Sequence, residues 1–274
     1  MPTTRQSAGE PPRRPGPPVP DAPGPRPLDA ATRQKLVHRE RIAWHHHAVH
    51  QLIHPSRGVL RVSTPLGAWV VPPYRAVWIP AGVPHAHEAH GPTDMRTLSF
   101  APRLGPLGGD RPTVVAVTPL LRELVVALSD TPGPADPPYT AAQRADLERV
   151  TLDQLRRVDA LPLHLPAPSD DRLRAVARLL HADPADDRSL AQLGAAVGAG
   201  ERTLSRLFRR ELGMTFPQWR TQLRLHHSLM LLAAGQSVTS AATACGYANP
   251  SAFIEAFRHA FGVTPGRHAS PDRG

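Results

Sequence analysis

Two groups of side chains in this sequence could do chemistry, and they lie far apart in the chain. The first is a run of imidazoles, Trp44-His45-His46-His47-Ala48-Val49-His50-Gln51. Residues 45, 47 and 51 share one parity, so on a strand they would project to the same side of a sheet. Further on, Pro80-Ala81-Gly82-Val83-Pro84 makes a turn that delivers His85 as a fourth candidate ligand. Imidazole is a good ligand for first-row transition metals. The second group is Arg202, Ser205 and Arg206, spaced i, i+3, i+4 on one helix face. Two arginines beside a small hydroxyl can read guanine edges and approach a groove closely. Arg209 and Arg210, one turn on, suit phosphates.

These arginines need an element that presents them. Ser189 to Gly213 has a capping Ser, a small-residue helix, a turn with Gly, then a helix carrying Leu204, Leu207 and Phe208 inward. Ser237 to Gly262 repeats the pattern, with Phe253, Phe257 and Phe261 as the buried stripe. Its outward positions are Asn249, Ser251, Ala252, Glu255, Arg258 and His259, a less basic face on which Arg258 suits a phosphate. A short helix, a glycine turn and a second helix is the geometry that lays one helix in a DNA major groove. A helix from about Pro217 to Ala233 connects the copies, and Asp170 to His181 forms a helix ahead of them, with Leu173, Val176, Ala177 and Leu180 inward.

The histidines fall in a different kind of sequence. Leu52-Ile53, Val59 to Val62, Ala68 to Val71, Ala76 to Ile79 and Met95 to Phe100 are short apolar runs. The first four are parted by Pro55-Ser56-Arg57-Gly58, Thr64-Pro65-Leu66-Gly67 and Pro72-Pro73. That spacing predicts an antiparallel barrel or sandwich. Leu120, Leu121, Leu124, Val125 and Leu128 then make a helical stripe, continued by Leu147, Val150, Leu155 and Val158. The stripe is either a dimer contact or packs on the chain's own barrel. The fold class is therefore α+β in two domains. The expected division is a disordered tail at 1–30, a sensor domain at 31–115 and a helical dimerisation segment at 116–160. A linker at 161–168, the paired helix-turn-helix unit at 169–268 and a second disordered tail at 269–274 complete it.

Composition narrows the function classes without choosing among them. Net charge is +9, carried by Arg with Lys35 the only lysine. Arg suits phosphate and guanine, although GC-rich coding gives the same Arg, Ala and Pro bias. Cys245 is the sole cysteine, so no disulfide within the chain is available, which fits a reducing cytoplasm. No apolar run approaches the ~20 residues of a membrane span, and the N-terminus lacks the apolar core of a signal peptide.

The stretch Gly246-Tyr-Ala-Asn-Pro-Ser-Ala-Phe-Ile-Glu-Ala-Phe-Arg-His-Ala-Phe-Gly-Val-Thr-Pro265 closely resembles the signature of the AraC/XylS transcription regulators. Gly246, Tyr247, Phe253, Phe257, Arg258, Gly262, Thr264 and Pro265 carry that resemblance, which covers about residues 170–268. It implies base reading mainly by Arg202, Ser205 and Arg206, and in the second helix by Pro250, Ser251 and Glu255. Glu255 stands where a basic residue is often found, and the closing Tyr-Arg reads His268-Ala269. Residues 38–102 resemble the cupin sensor half found in a subset of these regulators. That resemblance implies His45, His47, Gln51 and His85 as the set holding a divalent transition metal or, with no metal, an organic effector. Gln51 replaces the usual Glu. His46, His50, His54, His87 and His90 read as exposed bystanders.

The expectation is a sequence-specific regulator, not an enzyme. Its partners would be double-stranded operator DNA, a small-molecule effector, RNA polymerase and a second copy of the chain. A cupin-type metalloenzyme is disfavoured by the duplicated DNA motif and by Gln51, since a carboxylate would complete a better catalytic set. A constitutive DNA binder with a purely structural barrel stays open.

Overall fold

A computed structural model describes residues 31–130, 139–157, 160–161 and 164–269. The first half is one antiparallel sheet. Its strands are β1 (Ala31–Leu36), β2 (Arg41–His45), β3 (His50–Thr64), β4 (Gly67–Val71), β5 (Arg75–Ile79), β6 (His85–Phe100) and β7 (Thr113–Ala116). Strands β3 and β6 are long and pair with each other along most of their length. The first part of β3 also pairs with β5 and its last part with β4, while β6 pairs early with β2 and late with β1. The two strands thus carry the sheet from one set of neighbours to another and curl it round an apolar interior.

The segment Pro55-Ser56-Arg57-Gly58 was expected to separate two strands, yet β3 runs through it. Register shifts fall at Pro55/Arg57 and Arg57/Val59. Proline lacks a ladder donor and glycine accepts positive φ, so both residues mark a bulge that bends the strand. At Gly58 φ is +76°, and a Cβ there would stand 2.4 Å from Thr93 Oγ1.

Helices α1 (Pro119–Ser129) and α2 (Ala141–Arg157) lie against the outer face of the sheet. Leu121, Val125 and Leu128, with Leu152 and Leu155, pack on Leu52, Trp78, Leu98 and Phe100. The apolar stripe therefore packs on the chain's own barrel. Leu120, placed on the same stripe by periodicity, is instead exposed. Val158 lies outside the described residues, as do positions 1–30 and 270–274 of the two expected tails; Ala269 closes the last helix.

The expected linker is also partly sheet. Strands β8 (Ala160–Leu161) and β9 (His164–Pro166) pair with β7 and β4 respectively. Three prolines exclude a helix there but leave an edge strand available.

The second half is helical: α3 (Asp171–Ala182), α4 (Leu190–Ala196), α5 (Glu201–Leu212), α6 (Phe216–Ala233), α7 (Val238–Ala244), α8 (Pro250–Phe261) and α9 (Pro265–Ala269). The local sequence dictates these ends. Ser189 and Thr215 form capping boxes with Gln192 and Gln218, and Ser237 caps α7. Gly213 and Gly262 close α5 and α8 in the left-handed conformation.

Candidate nucleic-acid interface and histidine centre

Helix α5 buries Leu204, Leu207, Phe208 and Leu212 and turns its basic side outward. Arg202, Arg206, Arg209 and Arg210 are exposed and Ser205 is half-buried, all lining one concave surface. The side chains of Arg202, Arg206 and Arg209 make no hydrogen bond or ion pair among the described residues, whereas Arg210 approaches Glu211 at 3.7 Å. Three guanidiniums with no internal carboxylate partner keep their donors available to an external anion. The turn before α5 folds back tightly on Gly194 of α4, where a Cβ would stand 2.3 Å from the Ala199 carbonyl oxygen.

Helix α8 buries Phe253, Phe257 and Phe261 as the spacing predicts. Ser251, Glu255, Arg258 and His259 are exposed, and a second concave surface gathers Glu255, Arg258 and His259. Asn249, expected on the reading face, caps the helix: its Oδ1 accepts from the Ala252 N–H at 2.8 Å. That bond satisfies one of the helix's open donors, so Asn249 positions α8.

Sequence reasoning missed the residue that joins the two motifs. Arg224, on α6, donates from Nε to the Pro184 carbonyl at 2.9 Å and from Nη1 to the Gly246 carbonyl at 3.1 Å. Its Nη2 reaches the Asp186 carbonyl at 3.2 Å. One guanidinium thereby ties the α3–α4 connection to the turn after α7. Gly246 has φ +71°, and a Cβ there would stand 2.6 Å from Arg224 Nη2, so only glycine admits the clamp. An Arg at helical spacing gives no signal of this, because its partners are carbonyls rather than charges. Arg75 also binds a carbonyl: its Nη2 donates to the Phe261 carbonyl at the end of α8, 3.0 Å away.

The histidines converge inside the curled sheet. His45 ends β2 and sits in register with His85 at the start of β6. His47 lies past the end of β2, so strand parity does not aim it; the connection to β3 does. His45, His47 and His85 are buried, with ring centroids 4.3 Å apart for His45–His85, 4.9 Å for His45–His47 and 5.6 Å for His47–His85. The structure adds His87, two residues along β6 on the same inward face, 5.1 Å from the His85 ring and 5.5 Å from that of His45. It is buried, not an exposed bystander. Alternation along β6 carried the signal: His85, His87 and Ala89 share a face. Gln51 is buried on β3 with its Oε1 lacking a donor.

The ring nitrogens are prepared in a consistent way. Nδ1 of His45 lies 2.7 Å from the Ala43 carbonyl, and Nδ1 of His85 lies 2.8 Å from that of Val83. A carbonyl can only accept, so both Nδ1 atoms carry a proton, and in the neutral ring of His85 the lone pair then lies on Nε2. His85 Nε2 and His87 Nδ1 are buried without a partner. Burial pushes the His85 pKa down to about 3 and that of His87 well below the usual imidazole range. Both rings are therefore neutral near pH 7, the form that ligates a metal. One ligand atom from each of His45, His85 and His87 falls within 4.8 Å of the others.

His54 and His50 bond to the backbone of the barrel. His54 is fully buried, lies 3.1 Å from the Arg75 carbonyl through Nδ1, and is held neutral by burial at a pKa of about 4. His50 accepts from the Ala81 N–H. His90 is half-buried. Cys245 is buried in the second motif, its thiol pushed up to about 12.

The fold and these faces define a DNA-reading protein: two helix-turn-helix motifs on one connecting helix, attached to a sheet domain. A helix-turn-helix domain model matches residues 193–270. The chain is 32% identical to the HTH-type transcriptional regulator NimR of Escherichia coli over 232 residues, covering 82% of this chain and 81% of that one. It is 37% identical to the HTH-type transcriptional regulator RipA of Corynebacterium glutamicum over 100 residues, 36% of this chain and 30% of that one. Among solved structures, an AraC-type transcriptional regulator from Chromobacterium violaceum aligns at 26% identity over 38% of this chain and 95% of its own, with a TM-score of 0.35. The chain belongs to the AraC/XylS family of HTH-type transcriptional regulators.

Proposed function

We propose that a single protomer sets α5 and α8 into successive major grooves on one side of the duplex. The exposed guanidiniums of Arg202, Arg206 and Arg209 on α5, without internal carboxylate partners, carry this reading. Arg202 and Arg206 face base edges with Ser205 between them, and Arg209 and Arg210 face phosphates. On α8, Ser251 and Glu255 meet the bases and Arg258 the backbone. The two helix centres would then stand one helical turn apart, ~34 Å. Arg206→Ala should cost about 1–3 kcal/mol and relax specificity at one base pair, read by titrating the variant with a duplex selected from a random library. Unchanged affinity and selectivity would reject the assignment.

In the sheet domain, His45, His85 and His87 form the ligand set for a divalent transition metal, with His47 beside them. Imidazoles without a carboxylate suit Zn, Ni, Co or Cu rather than Mg or Ca. The ion would act as a sensed or structural ligand, in keeping with a regulator that works in the cytoplasm. It controls transcription through its position relative to RNA polymerase at the promoter. The hairpin's apolar stripe is consumed by the barrel, so a dimer would need another surface.

A further inference from the structure

We infer that the turn between β1 and β2 is a further contact with DNA, in which Arg39 holds a backbone phosphate at the edge of the groove that α8 enters. The sheet domain then grips the duplex directly. Where the duplex lies rests on the groove-reading proposal above. The second motif is short of cations. From Ser228 to Ile254 the sequence has no Asp, Glu, Lys or Arg, so α7 carries no charged side chain, and α8 offers one arginine, Arg258, against Glu255. Helix α5, by contrast, presents four arginines. Yet the first helix of such a motif crosses the phosphate backbone, and neutralising phosphates supplies much of the affinity for a duplex. A cation for the crossing of α7 can come only from another element.

The sheet domain brings one there. Strand β6 packs on α6, and Gly91 is pressed against the last residue of that helix: a Cβ on Gly91 would stand 2.1 Å from the Ala233 carbonyl oxygen. The chain then enters α7 through its cap, Ser237. Gly91 also anchors the β1–β2 turn. Its N–H donates to Nδ1 of His38 at 3.0 Å. The next residue, Arg39, donates its N–H to the Ala89 carbonyl at 2.8 Å, and the Ala89 N–H donates to the Glu40 carbonyl at 2.9 Å. These bonds fasten the turn to β6 beside the junction of α6 and α7. Val37, His38 and Arg39 are exposed on it.

Arg39 is held in a strained backbone conformation. Its φ is +66°, the only positive value at a non-glycine among the described residues. Glycine or asparagine takes that conformation with less strain. No contact of the side chain within the protein offsets this: it makes no hydrogen bond or ion pair among the described residues. The carboxylates flanking the turn are engaged, Glu40 by the Val37 N–H at 2.8 Å and Glu88 by Arg41 at 3.2 Å. A strained position that keeps an unengaged guanidinium points to a partner outside the chain. The guanidinium fork matches phosphate, and phosphates are what α7 crosses beside this turn. The contact falls at the edge of the groove held by α8 and opens no third groove.

The test is titration of the full chain, Arg39→Gln and Arg39→Gly with the selected duplex over a range of salt. Glycine suits the left-handed backbone, so Arg39→Gly should melt as high as the unaltered chain, and a loss shared by both variants belongs to the guanidinium. Both should weaken selected and unrelated duplexes alike, about three- to tenfold at roughly 0.1 M salt, and lower the slope of log affinity against log salt by about one. Ethylating one phosphate at the α8 end of the duplex should hinder the unaltered chain and leave the remaining affinity of both variants untouched. An unchanged slope in both variants, or the same sensitive phosphates in all three proteins, would overturn the contact. Arg206→Ala tells the two proposals apart. Full affinity and selectivity in that variant, with a lowered slope in Arg39→Gln, sinks the groove reading and keeps the phosphate contact of the turn. The reverse pattern sinks the turn alone, and a chain that takes no duplex sinks both.

Discussion

Single side chains divide into those that read and those that position. Arg258 is exposed on α8 and makes no side-chain bond among the described residues, so its charge is available to a phosphate. Arg258→Ala should weaken every duplex alike and lower the slope of log affinity against log salt by about one; an unchanged slope would remove the phosphate role. In the proposed metal centre of the barrel, His87 takes the place that the sequence pattern gave to Gln51. An amide oxygen is a weaker ligand than a neutral imidazole, and Nδ1 of His87 is buried and unpartnered. Zinc or nickel retained after dialysis, measured by elemental analysis, should fall away in His85→Ala and His87→Ala and persist in Gln51→Ala. Retention in both histidine variants would dismiss the centre. Spacing pointed to His45, His47 and His85. It missed His87 because the turn signal drew attention to the first histidine of β6 and not to the period-two face behind it.

Elements were legible where caps and periodicity speak locally. Ser189, Thr215, Ser237, Gly213 and Gly262 fix helix ends through bonds made within one turn, and such signals can be read directly. The bend in β3 and the strands at 160–161 and 164–166 were hidden because proline and glycine mark a turn, a bulge or an edge with the same letters. What they become depends on partners distant in sequence, here β6 for the bulge and β4 and β7 for the edge strands. Arg224 is the extreme case, since its role exists only once α6 lies between Pro184 and Gly246. Its bonds to carbonyls are charge-assisted, worth roughly 1.5–3 kcal/mol each before solvent exposure is discounted. Arg224→Met should therefore lower unfolding stability by about 2–4 kcal/mol in urea. It should also reduce duplex affinity under conditions where the chain stays folded. Full stability in the variant would show that the clamp is ornamental.

On the scale of the whole molecule, the sheet domain and the second motif share one core, while the first motif has its own. Composition and motif spacing suggested two units joined by a linker; only tertiary packing shows that the seam runs through the DNA-reading half. The helical hairpin covers the barrel with Leu121, Val125 and Leu128 and leaves Leu120 outside. Sedimentation of the DNA-free chain at micromolar concentration should accordingly give the mass of one protomer. A stable dimer would require an interface other than that stripe. The sheet domain packs on α6 through β3, β4 and β6, so removing it would uncover part of that helix.

The central claim is that one chain reads two successive grooves, and hydroxyl-radical footprinting of the full chain on its selected duplex tests it most directly. Two protected tracts per bound protomer, about ten base pairs apart on one face, with Arg206→Ala blurring one and Arg258→Ala the other, is the result expected. A single tract per protomer, or both tracts lost together to either variant, would contradict it.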